Sequence, residues 1–274
     1  MGKAFLTLII VLLAAASARA EAPASKLTLS FGDHSERFTA AQLLARPDAA
    51  RITIPDDVSY RSKMVYRAVT LLSLIGEEAA HAFDTLEVRA ADGFASQIPL
   101  PSVEKGAQDG SVAWLAVEDP SAPWPPLPGK DVSAGPFYLV WEHPERSGIG
   151  SELWPYQTVS ITGVRAPARR WPQMAVDEAL PADAPARRGQ AVFTMQCMPC
   201  HRIKGAGAAD VGPDLGAPMN PTRYMSPEGL RALIRDPKSV RTWPGQLMPA
   251  FDETKLSDAD LDAIIAYLTH MAER

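Results

Sequence analysis

The stretch Cys197-Met198-Pro199-Cys200-His201 decides how the second half of this chain reads. It holds the two cysteines of the 274-residue sequence and sets a histidine directly after the second. Two thiols three positions apart near a helix end can each form a thioether to a haem vinyl group, and the adjacent imidazole is left against the iron. Covalent attachment and axial ligation then come from one turn of chain. A redox dithiol of the same spacing normally follows a strand in a βαβ unit. Here the preceding residues, 186–196, read as helix, with Val192, Phe193 and Met195 available to a core. A zinc site needs four ligands, and no second Cys or His pair stands at a suitable spacing, His270 being alone and distant. The expectation is one covalent haem c on Cys197 and Cys200, with His201 bound to the iron.

Helix signals bracket the motif. Asp183 is placed to cap a first helix that Pro185 opens. A last helix begins at Ser257, with Asp260 three residues on to complete a capping box. Leu261, Ile264, Ile265, Tyr267 and Leu268 recur there at helical spacing, so one face is expected to be buried. Over residues 185–274 this pattern resembles a class I cytochrome c. The resemblance implies an all-α domain whose first and last helices cross closely, with Gly189, Phe193 and Tyr267 at the crossing. It also implies a thioether as second iron ligand, since His/Met ligation is common in cytochromes c and raises the reduction potential. Met248, 47 residues after His201 and followed by Pro249-Ala250-Phe251, resembles the family's Met-Pro-x-Phe segment and is assigned that role. Met219 and Met225, 18 and 24 residues after His201, are the runners-up. Gly212-Pro213-Asp214-Leu215 resembles the segment whose proline carbonyl accepts the Nδ1 proton of the axial histidine, which makes Pro213 its expected partner. Arg241 and Trp243 precede the ligand loop and read either as haem-propionate partners or as surface packing.

At the other end, Lys3 is followed by an apolar run from Ala4 to Ala16 and by Ala18-Arg19-Ala20, a small-x-small cleavage pattern. Residues 1–20 therefore read as a secretory signal peptide, with membrane contact only if the segment stays uncleaved. Export to the periplasm fits the chemistry, because c-type haem is attached outside the cytoplasm. The formal net charge is −5, unevenly spread: residues 21–164 hold 11 Lys and Arg against 19 Asp and Glu, and residues 165–274 hold 14 against 13. Neither part offers the basic footprint of a nucleic-acid binder. Residues 165–184 are rich in Pro and Ala without apolar periodicity and read as a semi-rigid linker between two separable units. Deleting residues 26–164 is expected to leave the haem spectrum and potential nearly unchanged while slowing reduction by the native partner.

Residues 21–164 read as an α+β, mostly β domain. Strands are expected at 26–31, 51–54, 85–89, 94–100, 113–117, 137–141 and 158–164, with short helices at 38–44 and 69–75. Asp92-Gly93 supplies a hairpin turn. The segments Phe38 to Leu44, Val69 to Ile75, Ala91-Asp92-Gly93-Phe94 leading to Ile98-Pro99-Leu100, Gly135 to Val140 and Trp154-Pro155-Tyr156-Gln157 together resemble the molybdopterin-binding fold of the sulfite oxidase group. In those enzymes a cysteine thiolate ligates molybdenum, and residues 21–164 contain no cysteine. Their acidic balance also disfavours a phosphate-bearing cofactor, which wants Arg and Lys donors. The fold is therefore expected without molybdopterin. His34, His81 (near Glu77 and Glu78) and His143 read as surface residues rather than metal ligands.

The favoured function is electron transfer by a haem protein or subunit rather than a self-sufficient enzyme, with no catalytic side chain and with the acidic domain docking a redox protein such as a periplasmic oxidoreductase or another cytochrome. The alternative is a haem-containing subunit or fusion of a molybdenum-dependent oxidoreductase acting on a small substrate such as sulfite.

Overall fold

The computed structural model describes residues 25–76 and 81–274, so the expected signal segment, Glu77 and Glu78 lie outside the described residues. Among those described, no helix is long and apolar enough to cross a membrane.

Among the described residues, the N-terminal region has nine strands. β1 (Lys26–Phe31), β2 (His34–Thr39), β5 (Thr85–Ala90), β6 (Ala95–Pro99) and β9 (Thr158–Val164) form one sheet in the order β2-β1-β9-β5-β6. β3 (Ala50–Asp57), β4 (Ser62–Thr70), β7 (Val112–Val117) and β8 (Phe137–Glu142) form a second in the order β3-β4-β7-β8. All pairings are antiparallel except β1 with β9, which run parallel. Leu27, Leu86, Ile98 and Ile161 of the first sheet and Ile54, Leu115, Leu139 and Trp141 of the second share one hydrophobic core. Most strands expected from sequence are present, and Gly93 takes the positive φ of +92° that the β5–β6 turn requires.

Two strands are not legible as apolar alternation. β2 is an exposed edge carrying His34, Glu36 and Arg37, and is defined by its ladder to β1. β4 hides its alternation because only Tyr66, Ala68 and Val69 are fully buried along it. The helix expected at 38–44 begins at Ala40, since Phe38 and Thr39 still pair with β1 and Thr39 caps the helix through a reciprocal bond with Gln42. Likewise the second short helix runs Leu71–Ile75, Val69 and Thr70 belonging to β4.

At the end of β3, Asp57 is buried and fully bonded. It accepts from the phenols of Tyr66 at 2.8 Å and Tyr138 at 3.1 Å and from the backbone amides of Ser59 and Tyr60. A buried carboxylate is tolerable only with such a full set of donors.

The C-terminal region is helical: α1 (Pro185–Gln196), α2 (Pro227–Arg235) and α3 (Asp258–Ala272) are its principal helices. Pro185 opens α1, but the cap position falls on Ala184 and no side chain caps it, so Asp183 does not act as expected. Ser257 does cap α3, accepting from the Asp260 amide at 3.1 Å and donating to the Asp260 carboxylate at 2.7 Å. α1 and α3 cross at Gly189: a Cβ there would overlap the Ala263 carbonyl and stand 2.7 Å from the Tyr267 Cβ. Phe193 and Tyr267 stack beside the crossing with centroids 5.3 Å apart.

The Pro/Ala-rich segment 165–184 packs onto both regions. Met174 and Val176 are buried in the helical core, and Tyr267 Oη donates to the Met174 carbonyl at 2.7 Å. Arg170 donates to the buried Glu87 carboxylate of β5 at 2.6 Å. The apolar residues of this segment are too widely spaced to register as periodic, which is why composition alone reads it as a spacer.

Candidate functional site

α1 delivers the attachment motif to the mouth of a cavity of about 330 Å3. Its lining is dominated by apolar side chains, among them Phe193, Leu230, Leu233, Ile264 and Leu268. Cys197, Cys200, His201, Pro213 and Met248 all line it. Met219 and Met225 do not: Met219 is 54% exposed, and Met225 faces a separate pocket beside Thr222 and Pro227.

The histidine is held in one orientation. Its Nδ1–H donates to the Pro213 carbonyl at 2.8 Å, since a carbonyl oxygen can only accept, and this leaves the Nε2 lone pair free. The approach depends on a glycine: a Cβ at Gly212 would stand 2.7 Å from the imidazole Nδ1. Burial lowers the His201 pKa against the raising pull of its Pro213 bond, which favours the neutral ring that a metal ligand needs. The backbone of the motif is bonded as well, Gly212 N–H donating to the Cys200 carbonyl at 2.8 Å. Both cysteines are free thiols, pushed by burial up to about 12.

These groups fit a haem. Two unpaired thiols, one neutral imidazole with a free Nε2, and one thioether meet on a mainly apolar cavity, a donor set that suits iron in a macrocycle better than a bare cation. Among the described residues no cluster of His, Cys, Asp and Glu suits a separate metal ion. Trp243 also lines the cavity, whereas the Arg241 guanidinium lies over the Trp243 ring at 6.0 Å and is not part of the lining. His34 and His143 are exposed beside Glu36 and Glu145.

The N-terminal region reaches the motif. The β5–β6 hairpin clasps it with backbone bonds: Ala95 N–H donates to the Pro199 carbonyl at 2.9 Å, and Asp210 N–H donates to the Gly93 carbonyl at 3.2 Å. Arg89 of β5 adds a bond to the Ala208 carbonyl at 2.7 Å. The short turn Ser151–Leu153 sets Glu152 directly in the cavity wall. The cavity wall thus includes a residue from outside 185–274. Glu152 carries no sequence signal as a site residue, being a single acid in a loop. The nearest clue is Gly150, where a Cβ would stand 3.0 Å from Gln196 Nε2 of α1.

Residues 186–272 match the sequence model of the cytochrome c family. No curated protein gives a match to the chain. The C-terminal region is a cytochrome c domain joined to a β-rich N-terminal region, and this supports haem-based electron carriage.

Proposed function

We propose that the chain is a periplasmic c-type cytochrome that carries single electrons on one covalent haem, with the N-terminal domain docking a redox partner. When bound, the haem supplies reversible one-electron chemistry at its iron. Cys197 and Cys200 would hold it by thioethers, and His201 Nε2 and the Met248 sulfur would ligate its iron. Pro213 fixes the tautomer of His201 and raises its basicity. The mainly apolar lining limits contact with water, so less solvent reorganises when charge changes. What carries the reading is the convergence of the four proposed haem contacts and Pro213 on one cavity.

The N-terminal domain is read as a sulfite-oxidase-type fold kept without molybdopterin, because the two cysteines of the chain lie in the haem motif and leave none to ligate molybdenum. Its surplus of acidic residues supports docking of a basic partner.

Expression with haem-attachment machinery tests the cofactor. Denaturing gels should show haem on the wild-type chain and none on the Cys197→Ser, Cys200→Ser double variant. The thioether-to-ferric charge-transfer band should vanish in Met248→Ala and persist in Met219→Ala. Stoichiometric molybdenum or pterin in the purified protein would overturn the cofactor-free reading. Docking predicts that electron-transfer rates fall as ionic strength rises, since exposed charges are screened over about 8 to 10 Å at physiological salt.

A further inference from the structure

Glu152 is the one carboxylate among the described residues that line the cavity, and it comes from the N-terminal domain rather than from the cytochrome fold. The same side chain lines a neighbouring groove of about 270 Å3, shared with Gly150, Gln196, Lys255 and Asp260. Lys255 on that groove is exposed, so one acidic residue borders both the cofactor cavity and a groove open to solvent.

The surroundings leave Glu152 without a strong counter-charge. On its own turn, Ser151 Oγ donates to its carboxylate at 3.2 Å. Lys255 faces it from the segment after Met248. Asp260 of α3 borders the groove but is engaged by Arg188 at 2.8 Å and by Ser257. From α1 and its end come Gln196, Cys197 and Cys200, the last with Asp92 of the β5–β6 turn nearby. No arginine lines either cavity among the described residues. Burial raises the Glu152 pKa, against the lowering pull of Ser151 and Lys255. Gln196 Oε1, in the same wall, is buried with no hydrogen-bond partner among the described residues. A carboxylic acid can donate to such an oxygen, and a carboxylate cannot.

We propose that Glu152 is a redox-linked proton site, which binds a proton when the haem beside it gains an electron and releases it when the electron leaves. The inference rests on the haem reading above. The electron comes from the donor protein and enters the iron. The proton comes from solvent through the groove and forms an O–H bond on Glu152. Oxidation returns both. The cause is electrostatic: an added electron in an apolar cavity raises the cost of a carboxylate there, and protonation removes that charge. The N-terminal domain thereby couples the carrier's potential to pH.

Haem-loaded full-length protein titrated potentiometrically between pH 5 and 9 tests this. The carboxyl has a higher pKa in the reduced than in the oxidised protein. Between those two values the reduced-to-oxidised ratio at fixed ambient potential should fall with rising pH, by up to about tenfold per unit. Glu152→Gln should flatten the profile in that window. Lys255→Met removes a cation that favours the carboxylate, so it should move the window to higher pH, and it serves where Glu152→Gln fails to fold. A flat wild-type profile overturns the proposal. So does an equal slope in Glu152→Gln, which would place the proton on a haem propionate, or an unmoved window in Lys255→Met. Absence of covalent haem would instead defeat the haem reading itself.

Discussion

In the N-terminal core, Trp141, Tyr138, Phe137 and Tyr66 are each at most 1% exposed, and the side-chain polar atoms of Trp141, Tyr138 and Tyr66 bond to Leu153, Asp57 and Ser59. The C-terminal core, by contrast, surrounds a cavity of about 330 Å3 bordered by Phe193, Leu230, Ile264 and Leu268. One region completes its packing with its own side chains. The other closes tightly only along the α1–α3 crossing and leaves the rest of its apolar surface for a ligand to cover. The difference teaches where stability comes from in each half: strand register and a satisfied buried carboxylate in the first, a helix crossing and a cofactor in the second.

Substituting Asp57 should break the comparison most visibly. Asp57→Ala strands the Tyr66 phenol and two backbone amides, while Tyr138 keeps its bond to Ser59 Oγ, so a loss of about 4 kcal/mol is expected, read as an early denaturant transition of the β domain in the haem-loaded protein. The haem absorption band should report a separate, later transition. A single coincident transition would mean that the two cores fail together. A smaller loss, about 2 to 3 kcal/mol, is expected for Gly189→Ala, because the added Cβ forces α1 and α3 apart. Here the helical signal should melt first and the β signal hold, the reverse of the Asp57 result. Arg89→Ala sharpens the boundary between the halves: losing the bond to the Ala208 carbonyl should cost about 1 kcal/mol, measured as a shift in urea midpoint with little change in the haem spectrum.

Much of the cytochrome site was legible because its chemistry is compressed into contiguous residues. A Cys-x-x-Cys-His turn, a Gly-Pro twelve positions on and a Met-Pro-x-Phe segment each announce themselves, and they meet on one cavity. What stayed hidden depends on tertiary contact. β2 is polar because it is an exposed edge, so only its ladder to β1 reveals it. Met174 and Val176 look like isolated apolar residues in a proline-rich stretch until Tyr267 and the helical core are placed around them. Glu152 became visible only when the β5–β6 hairpin docked against Pro199 and carried its neighbouring turn into the wall. A contact between residues far apart in sequence leaves no periodic trace in either segment.

β9 occupies the middle of its sheet, parallel to β1 on one side and antiparallel to β5 on the other. The chain leaves it directly into the segment fixed to the helical core by Met174 and Val176. A tensile load drawn through the cytochrome domain would thus arrive at the sheet's central strand, where two ladders share it, and not at a peelable margin. Pulling β9 free would leave the β1–β2 and β5–β6 hairpins as two unjoined pieces, so mechanical rupture of the front domain should occur as one abrupt event at a rate set by that strand.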